Sequence, residues 1–189
     1  MVHVSFDLVD EFIPRVPKQR CDGENDTIKR ICVASSIIEA LNAIPQAGLV
    51  VRNMKSLGLP VIIHCYYLKA DKVMSNDEVQ KYVPDAEFTG ETWILEKPKA
   101  VNRVDYEIAD CIVKQGVDAF GNEQFEVRLP EIKQVKYQSN IDNFFKVFSQ
   151  NPNERKMREI FERQSYRKVL ANFDDEIIEK AKGVIKNKT

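Results

Sequence analysis

Residues Val61 to Leu68 read V-I-I-H-C-Y-Y-L, eight positions filled almost wholly by β-branched, aromatic and aliphatic side chains. Such a run is expected to be a strand, apolar enough to lie at the centre of a sheet. The chain therefore needs other strands to flank it, and the sequence offers several. Val2 to Phe6 alternates apolar and polar residues; Arg30 to Ala34 (R-I-C-V-A) and Glu91 to Leu95 (E-T-W-I-L) are short and rich in β-formers. Arg103 to Val113 and Gln124 to Tyr137 are longer candidates, separated by the turn Ala119-Phe120-Gly121-Asn122, and Val50 to Met54 is one more.

Helix signals are fewer in this part of the chain. Ser36-Ile37-Ile38-Glu39 is a capping box, in which the serine hydroxyl takes a first-turn N–H and the glutamate returns to the cap. The helix it starts carries Ile37, Ile38, Leu41 and Ile44 on one face and stops at Pro45. Asp7 to Phe12 is expected to form a turn of helix ended by Pro14 and Pro17, and Lys69 to Gly90 a long polar connection. Strands outnumber helices and lack the regular crossover helices of a doubly wound fold. The expected class is α+β, with a split, curved, mostly antiparallel sheet.

After Ser139 the pattern becomes helical, over 140–150, 154–171 and 174–186, so the chain divides into an α+β unit, 1–138, and a helical C-terminal extension, 139–189. Phe144, Phe145, Val147 and Phe148 form an apolar cluster expected to pack on the body. The first unit carries 17 Lys and Arg against 21 Asp and Glu, net −4, and the extension 11 against 8, net +3. The mixed signs read as a solvated helical face, with contact to nucleic acid through a basic tail as the alternative.

With 189 residues, 43% hydrophobic and 30% charged, the chain can bury a core without staples. Its longest apolar runs fall far short of the roughly 18 residues that cross a bilayer, and Met1 does not lead into an apolar signal core, so the expected location is cytoplasmic, away from membranes. Cys21, Cys32, Cys65 and Cys111 are widely spaced; Cys32 and Cys65 read as buried small hydrophobes. Two histidines, His3 and His64, and no zinc-like spacing leave no metal expected. The loop Asp22-Gly23-Glu24-Asn25-Asp26 has the composition of a cation-binding turn but no terminal bidentate glutamate at EF-hand spacing. There is no G-x-G-x-x-G after a strand, no G-x-x-x-x-G-K-[ST] and no G-x-S-x-G elbow, so dinucleotide-dependent hydride transfer, P-loop phosphoryl transfer and elbow-type hydrolysis all lack their signatures.

Three segments in order, His3-Val4-Ser5, Arg30 to Leu41 and Thr89 to Leu95, resemble the ADP-ribosyltransferase-like superfamily over roughly residues 1–137. His3-Val4-Ser5 is similar to the H-x-[ST] that opens the first core strand of the branch using His, Tyr and Glu. Arg30 to Leu41, with Ser35 and Ser36, resembles the family's strand entering a capped helix, and Thr89-Gly90-Glu91-Thr92-Trp93-Ile94-Leu95 places a glutamate at the start of a strand after a long loop. The family's tyrosine at the head of the second motif is replaced here by Arg30 or Ile31, leaving Tyr66, Tyr67 and Tyr82 as aromatic candidates.

The resemblance implies an NAD-dependent ADP-ribosyl transfer or NAD cleavage, with NAD as substrate and a protein, nucleic acid or small molecule as acceptor. It implies Glu91 as the catalytic carboxylate, His3 as the hydrogen-bonding partner of a ribose hydroxyl, and Ser35 or Ser36 as supports of the pocket. Breaking the nicotinamide–ribose bond passes through an oxocarbenium-like state, which a carboxylate near the anomeric carbon stabilises. Arg15, Arg20 or Arg30 offers a bidentate fork to a pyrophosphate. The rival expectation is a non-catalytic interaction protein, an inhibitor or immunity-type module, that shows a partner aromatic anchors such as Tyr66, Tyr67 or Phe88.

Overall fold

The computed structural model describes residues 1–18, 23–56, 58–117, 121 and 123–137. Along the chain run β1 (Val2–Ser5), β2 (Ile31–Val33), α1 (Ile37–Asn42), α2 (Ala47–Ser56), β3 (Ile62–Lys69), β4 (Val73–Met74), α3 (Asn76–Val79), α4 (Ala86–Thr89), β5 (Thr92–Ile94), β6 (Ala100–Val117) and β7 (Glu123–Gln134). The expected class is found: α+β, with two antiparallel sheets ordered β1-β3-β6-β7 and β2-β5-β4. The C-terminal helices expected over 139–189, and Arg20, lie outside the described residues. Among the described residues no helix is long and apolar enough to cross a membrane.

The V-I-I-H-C-Y-Y-L run is central, as its composition requires: β3 pairs with β1 on one side and with β6 on the other. Period-two alternation then sends its side chains to two different cores. Ile63 and Cys65 join Val2, Val4 and the buried faces of α1 and α2, including Leu41, Val51 and Met54. Tyr66 and Leu68 point the other way and meet Phe12, Ile31, Val33 and Ile94, so the smaller sheet stands on the opposite face of the larger one.

Val50 to Met54 is helical, which corrects the strand expected there. The β-branched pair Val50-Val51 suits a strand locally, but Ala47, Val51 and Met54 are buried at intervals of four and three, and burying that stripe against the sheet selects the helix. Gly48 brings α2 close to β7, since a Cβ at that position would stand 2.1 Å from the carbonyl oxygen of Phe125. Asp7 to Phe12 is not helical either: it crosses the sheet as an irregular strap, the backbone N–H of Val9 donating to Tyr66 Oη at 2.8 Å and Phe12 packing edge-on to Tyr66. The connection from Lys69 to Gly90 contains β4, α3 and α4, which cover Trp93 with Val79, Val83 and Ala86.

Candidate functional site

The two sheets meet at one point and then separate. Val2 and Ala34 exchange both backbone hydrogen bonds at 2.9 Å, after which the chain of β2 leaves β1 and pairs with β5. A small cleft of about 50 Å³ opens at this split, with His3, Cys32 and Glu91 as its polar lining and Ala40, Ala43 and Ile44 of α1 and the turn after it as its apolar wall.

Sheet geometry puts Glu91 there. In the β2–β5 register Cys32 faces Trp93, and side chains two residues apart share a face, so Arg30, Cys32, Glu91 and Trp93 all project from the same side of the smaller sheet. Glu91 is 7% exposed. Its Oε1 accepts from Trp93 Nε1 at 2.6 Å, and the Cys32 thiol donates to the same carboxyl group. Burial pushes the Glu91 carboxyl above its ordinary value of 4.5, against the opposing pull of these two donors. Burial likewise pushes the Cys32 thiol up, and the nearby Glu91 charge adds to that, so Cys32 is an S–H donor and not a thiolate nucleophile.

His3 enters from β1. Its Nδ1 lies 2.8 Å from the carbonyl oxygen of Cys32. A carbonyl can only accept, so Nδ1 carries the hydrogen and Nε2 of the neutral ring is the lone-pair acceptor. Burial lowers the imidazole from its ordinary 6.5, with the Arg15 charge acting in the same direction, and the neutral ring is the form present at pH 7. Phe12 stacks edge-on to the His3 ring, centroids 5.3 Å apart.

Ser35 and Ser36 flank the site without lining the cleft. Both hydroxyls donate to Glu39 Oε2, at 2.5 and 2.9 Å, and the N–H of Glu39 returns to Ser36 Oγ at 3.2 Å, completing the capping box read from the sequence. The Glu39 carboxylate, lowered chiefly by the Ser35 hydroxyl, rests against Gly90, where a Cβ would stand 3.0 Å from Glu39 Cδ. Gly90 has a φ of +63° and ends α4 immediately before Glu91. The helix cap therefore touches the backbone that presents the carboxyl.

Other expected ligands turn elsewhere. Arg30 is buried, ion-paired with Glu24, bonded to the carbonyls of Ile28 and Asn25, and stacked 4.1 Å from the centre of the Trp93 ring, so its guanidinium is committed inside the protein. Tyr66 is buried beneath the strap and bonded to Val9. Tyr82 lies tilted against Trp93, and Tyr67 is hydrogen-bonded to Tyr106, which with burial pushes its phenol up to about 12. None of these tyrosines lines the cleft. Arg15 is exposed, with its charge near His3. In the acidic loop Glu24 is spent on Arg30, and Asn25 Oδ1 accepts from the N–H groups of Thr27 and Ile28.

Cys32 and Glu39 are the site residues that sequence reading passed over. The sequence does carry a signal for Cys32, its place two residues after Arg30 in a strand of period two. Glu39 was visible as the far end of the capping box, whereas its contact with Gly90 belongs to the tertiary fold. A second buried polar pair, His64 Nδ1 to Asp105 Oδ1 at 2.7 Å, lies across β3 and β6 away from the cleft. No protein-family model, no curated protein and no solved structure matches the chain.

Proposed function

We propose that the chain is an NAD-cleaving enzyme of the ADP-ribosyltransferase-like type, with Glu91 as its catalytic carboxylate and His3 as the acceptor for a ribose hydroxyl. One observation carries the reading: His3 and Glu91, far apart in sequence, line the same cleft at the split between two sheets. As the nicotinamide–ribose bond stretches, positive charge grows on the anomeric carbon and ring oxygen, and an ionised Glu91 beside them stabilises it. Nicotinamide leaves with the bonding electrons. The acceptor, a group on protein, nucleic acid or small molecule, or water, forms the new bond to that carbon and gives up its proton to solvent. Of the two described arginine candidates, Arg15, with its charge next to His3, is the one that supports pyrophosphate binding.

At about 50 Å³ the cleft is too small for a nucleotide, so the reading requires its walls to part on binding. The exposed aromatic Phe88, 85% exposed three residues before Glu91, favours the second reading, a non-catalytic interaction module. Nicotinamide release from NAD by wild type and by Glu91→Gln separates the two. On the proposed reading the variant falls by about a hundredfold or more. No release with any acceptor, and no heat on mixing with NAD in a calorimeter, would leave the interaction module standing.

A further inference from the structure

Behind Glu91 the chain builds a stack that cleavage of NAD does not by itself demand. Glu24 holds the Arg30 guanidinium, which also donates to the carbonyls of Ile28 and Asn25. That guanidinium lies 4.1 Å from the centre of the Trp93 ring, and Trp93 Nε1 reaches Glu91 Oε1 at 2.6 Å. All three inner members are close to fully buried: Arg30 at 1%, Trp93 at 0% and Glu91 at 7% exposure. A cationic group buried inside a small protein is costly to desolvate, and a plain core would use an aliphatic side chain in its place.

We propose that Trp93 is the positioning residue of the cleft, clamped by Arg30 and Glu24 so that its indole N–H holds Oε1 of Glu91 and fixes the carboxyl in one orientation. The cation over the ring fixes the plane of the indole, and a fixed indole has a single direction in which to donate. The short N–H···O bond to Oε1, together with the Cys32 thiol that donates to the same carboxyl group, holds the carboxyl against the wall of the cleft that it lines. This role rests on the function proposed above, since an aimed carboxyl matters only if it acts.

The arrangement also controls charge. Burial and the Glu24 carboxylate work against an ionised Glu91, whereas the Cys32 thiol, the Trp93 indole and the Arg30 guanidinium work for it. Neutral His3 lines the same cleft, and Glu39 rests on the preceding residue, Gly90. Removing the indole donor removes one of the supports of the ionised form, and the proton is then held to higher pH.

Trp93 is the chain's one tryptophan, so the wild-type protein gives a single indole N–H resonance. That resonance is expected to titrate as one sigmoid with its midpoint above 4.5 and to become flat in Glu91→Gln. In Trp93→Phe, which keeps a ring for Arg30 to cover, kcat for nicotinamide release is expected to fall by about tenfold with KM little changed. The acid limb of the kcat profile is expected to move up by about one pH unit. An indole resonance that is flat in the wild type, or that titrates identically in Glu91→Gln, overturns the proposal even if NAD is cleaved. An indole that titrates through Glu91 in a protein that never releases nicotinamide supports the pairing and rejects the enzymatic reading instead.

Discussion

At the scale of single residues the site is defined by groups held away from their ordinary protonation behaviour. Glu91 is buried, and its folded-state value lies above 4.5. Between the unfolded and folded values the native state binds the extra proton, so the Glu91 contribution to stability falls as pH rises through that window and stays lost above it. Glu91→Gln keeps the shape and the acceptor oxygen for Trp93 while removing the ionisation. The variant is therefore expected to be more stable than wild type at pH 7, by on the order of 1 kcal/mol. The gap in Tm should narrow as the pH is lowered toward 4.5. A gap of constant size across that range would show that ionisation of Glu91 costs the fold nothing. An inactive variant that gains stability is the pattern expected where a site keeps a strained group for its chemistry.

Among the elements, the packing of α1 and α2 against β7 decides whether the larger sheet ends cleanly. Among the described residues β7 is the last strand of its sheet, and the edge of an end strand is where another chain can pair. The Asn42 side chain covers part of that edge: Nδ2 donates to the carbonyl of Val127 at 3.1 Å and Oδ1 accepts from its N–H at 2.9 Å. Two residues on, Leu129 adopts a φ of +47° before Pro130, which interrupts the regular strand. Asn42→Leu would leave both backbone groups of Val127 unpaired at a cost of about 1–3 kcal/mol, and it should raise self-association with concentration in sedimentation measurements. Nearby, Gly48→Ala forces a Cβ onto the Phe125 carbonyl oxygen at 2.1 Å, where backbone and not a flexible side chain stands in the way. A loss of about 3 kcal/mol in chemical denaturation is expected, because one of the two elements must move.

Over the whole molecule, the strap from Asp7 to Arg15 closes the face of the larger sheet that carries His3. Its ties include the N–H of Val9 to Tyr66 Oη at 2.8 Å, the ion pair of Glu11 with Lys97 at 2.8 Å, and Arg15 to Arg30 by backbone bonds in both directions at 3.0 and 3.1 Å. Between the ties Phe12 fills the space next to His3 and Tyr66. Tyr66→Phe unties the first point and also removes the side-chain hydrogen bond between Tyr66 and Arg103 of β6. Its expected result is a loss of about 1 kcal/mol and faster hydrogen exchange at Val9 and its neighbours, with exchange in β3 and β6 unchanged. Equal acceleration throughout the sheet would mean that strap and sheet open together, and that access to His3 requires global unfolding.

Features whose causes are local could be read from the residues alone. The V-I-I-H-C-Y-Y-L run reads as a central strand because β-branched, aromatic and aliphatic side chains fill nearly all of it, although Tyr67 is partly exposed, and the Ser36–Glu39 box forms because its partners lie within one turn of chain. Period two in R-I-C-V-A and E-T-W-I-L already put Arg30 with Cys32, and Glu91 with Trp93, on common faces. Tertiary structure decided the rest. Val50 to Met54 became helix because the sheet offered a surface for the stripe of Ala47, Val51 and Met54, a surface contributed by strands on both sides of it in sequence. Arg30 turned inward because Glu24 and Trp93 meet it there, and Tyr66 was taken by the strap. Whether His3 and Glu91 share a cleft depends on where β2 leaves β1 to pair with β5, a choice between strand partners made by long-range burial and not by any segment alone.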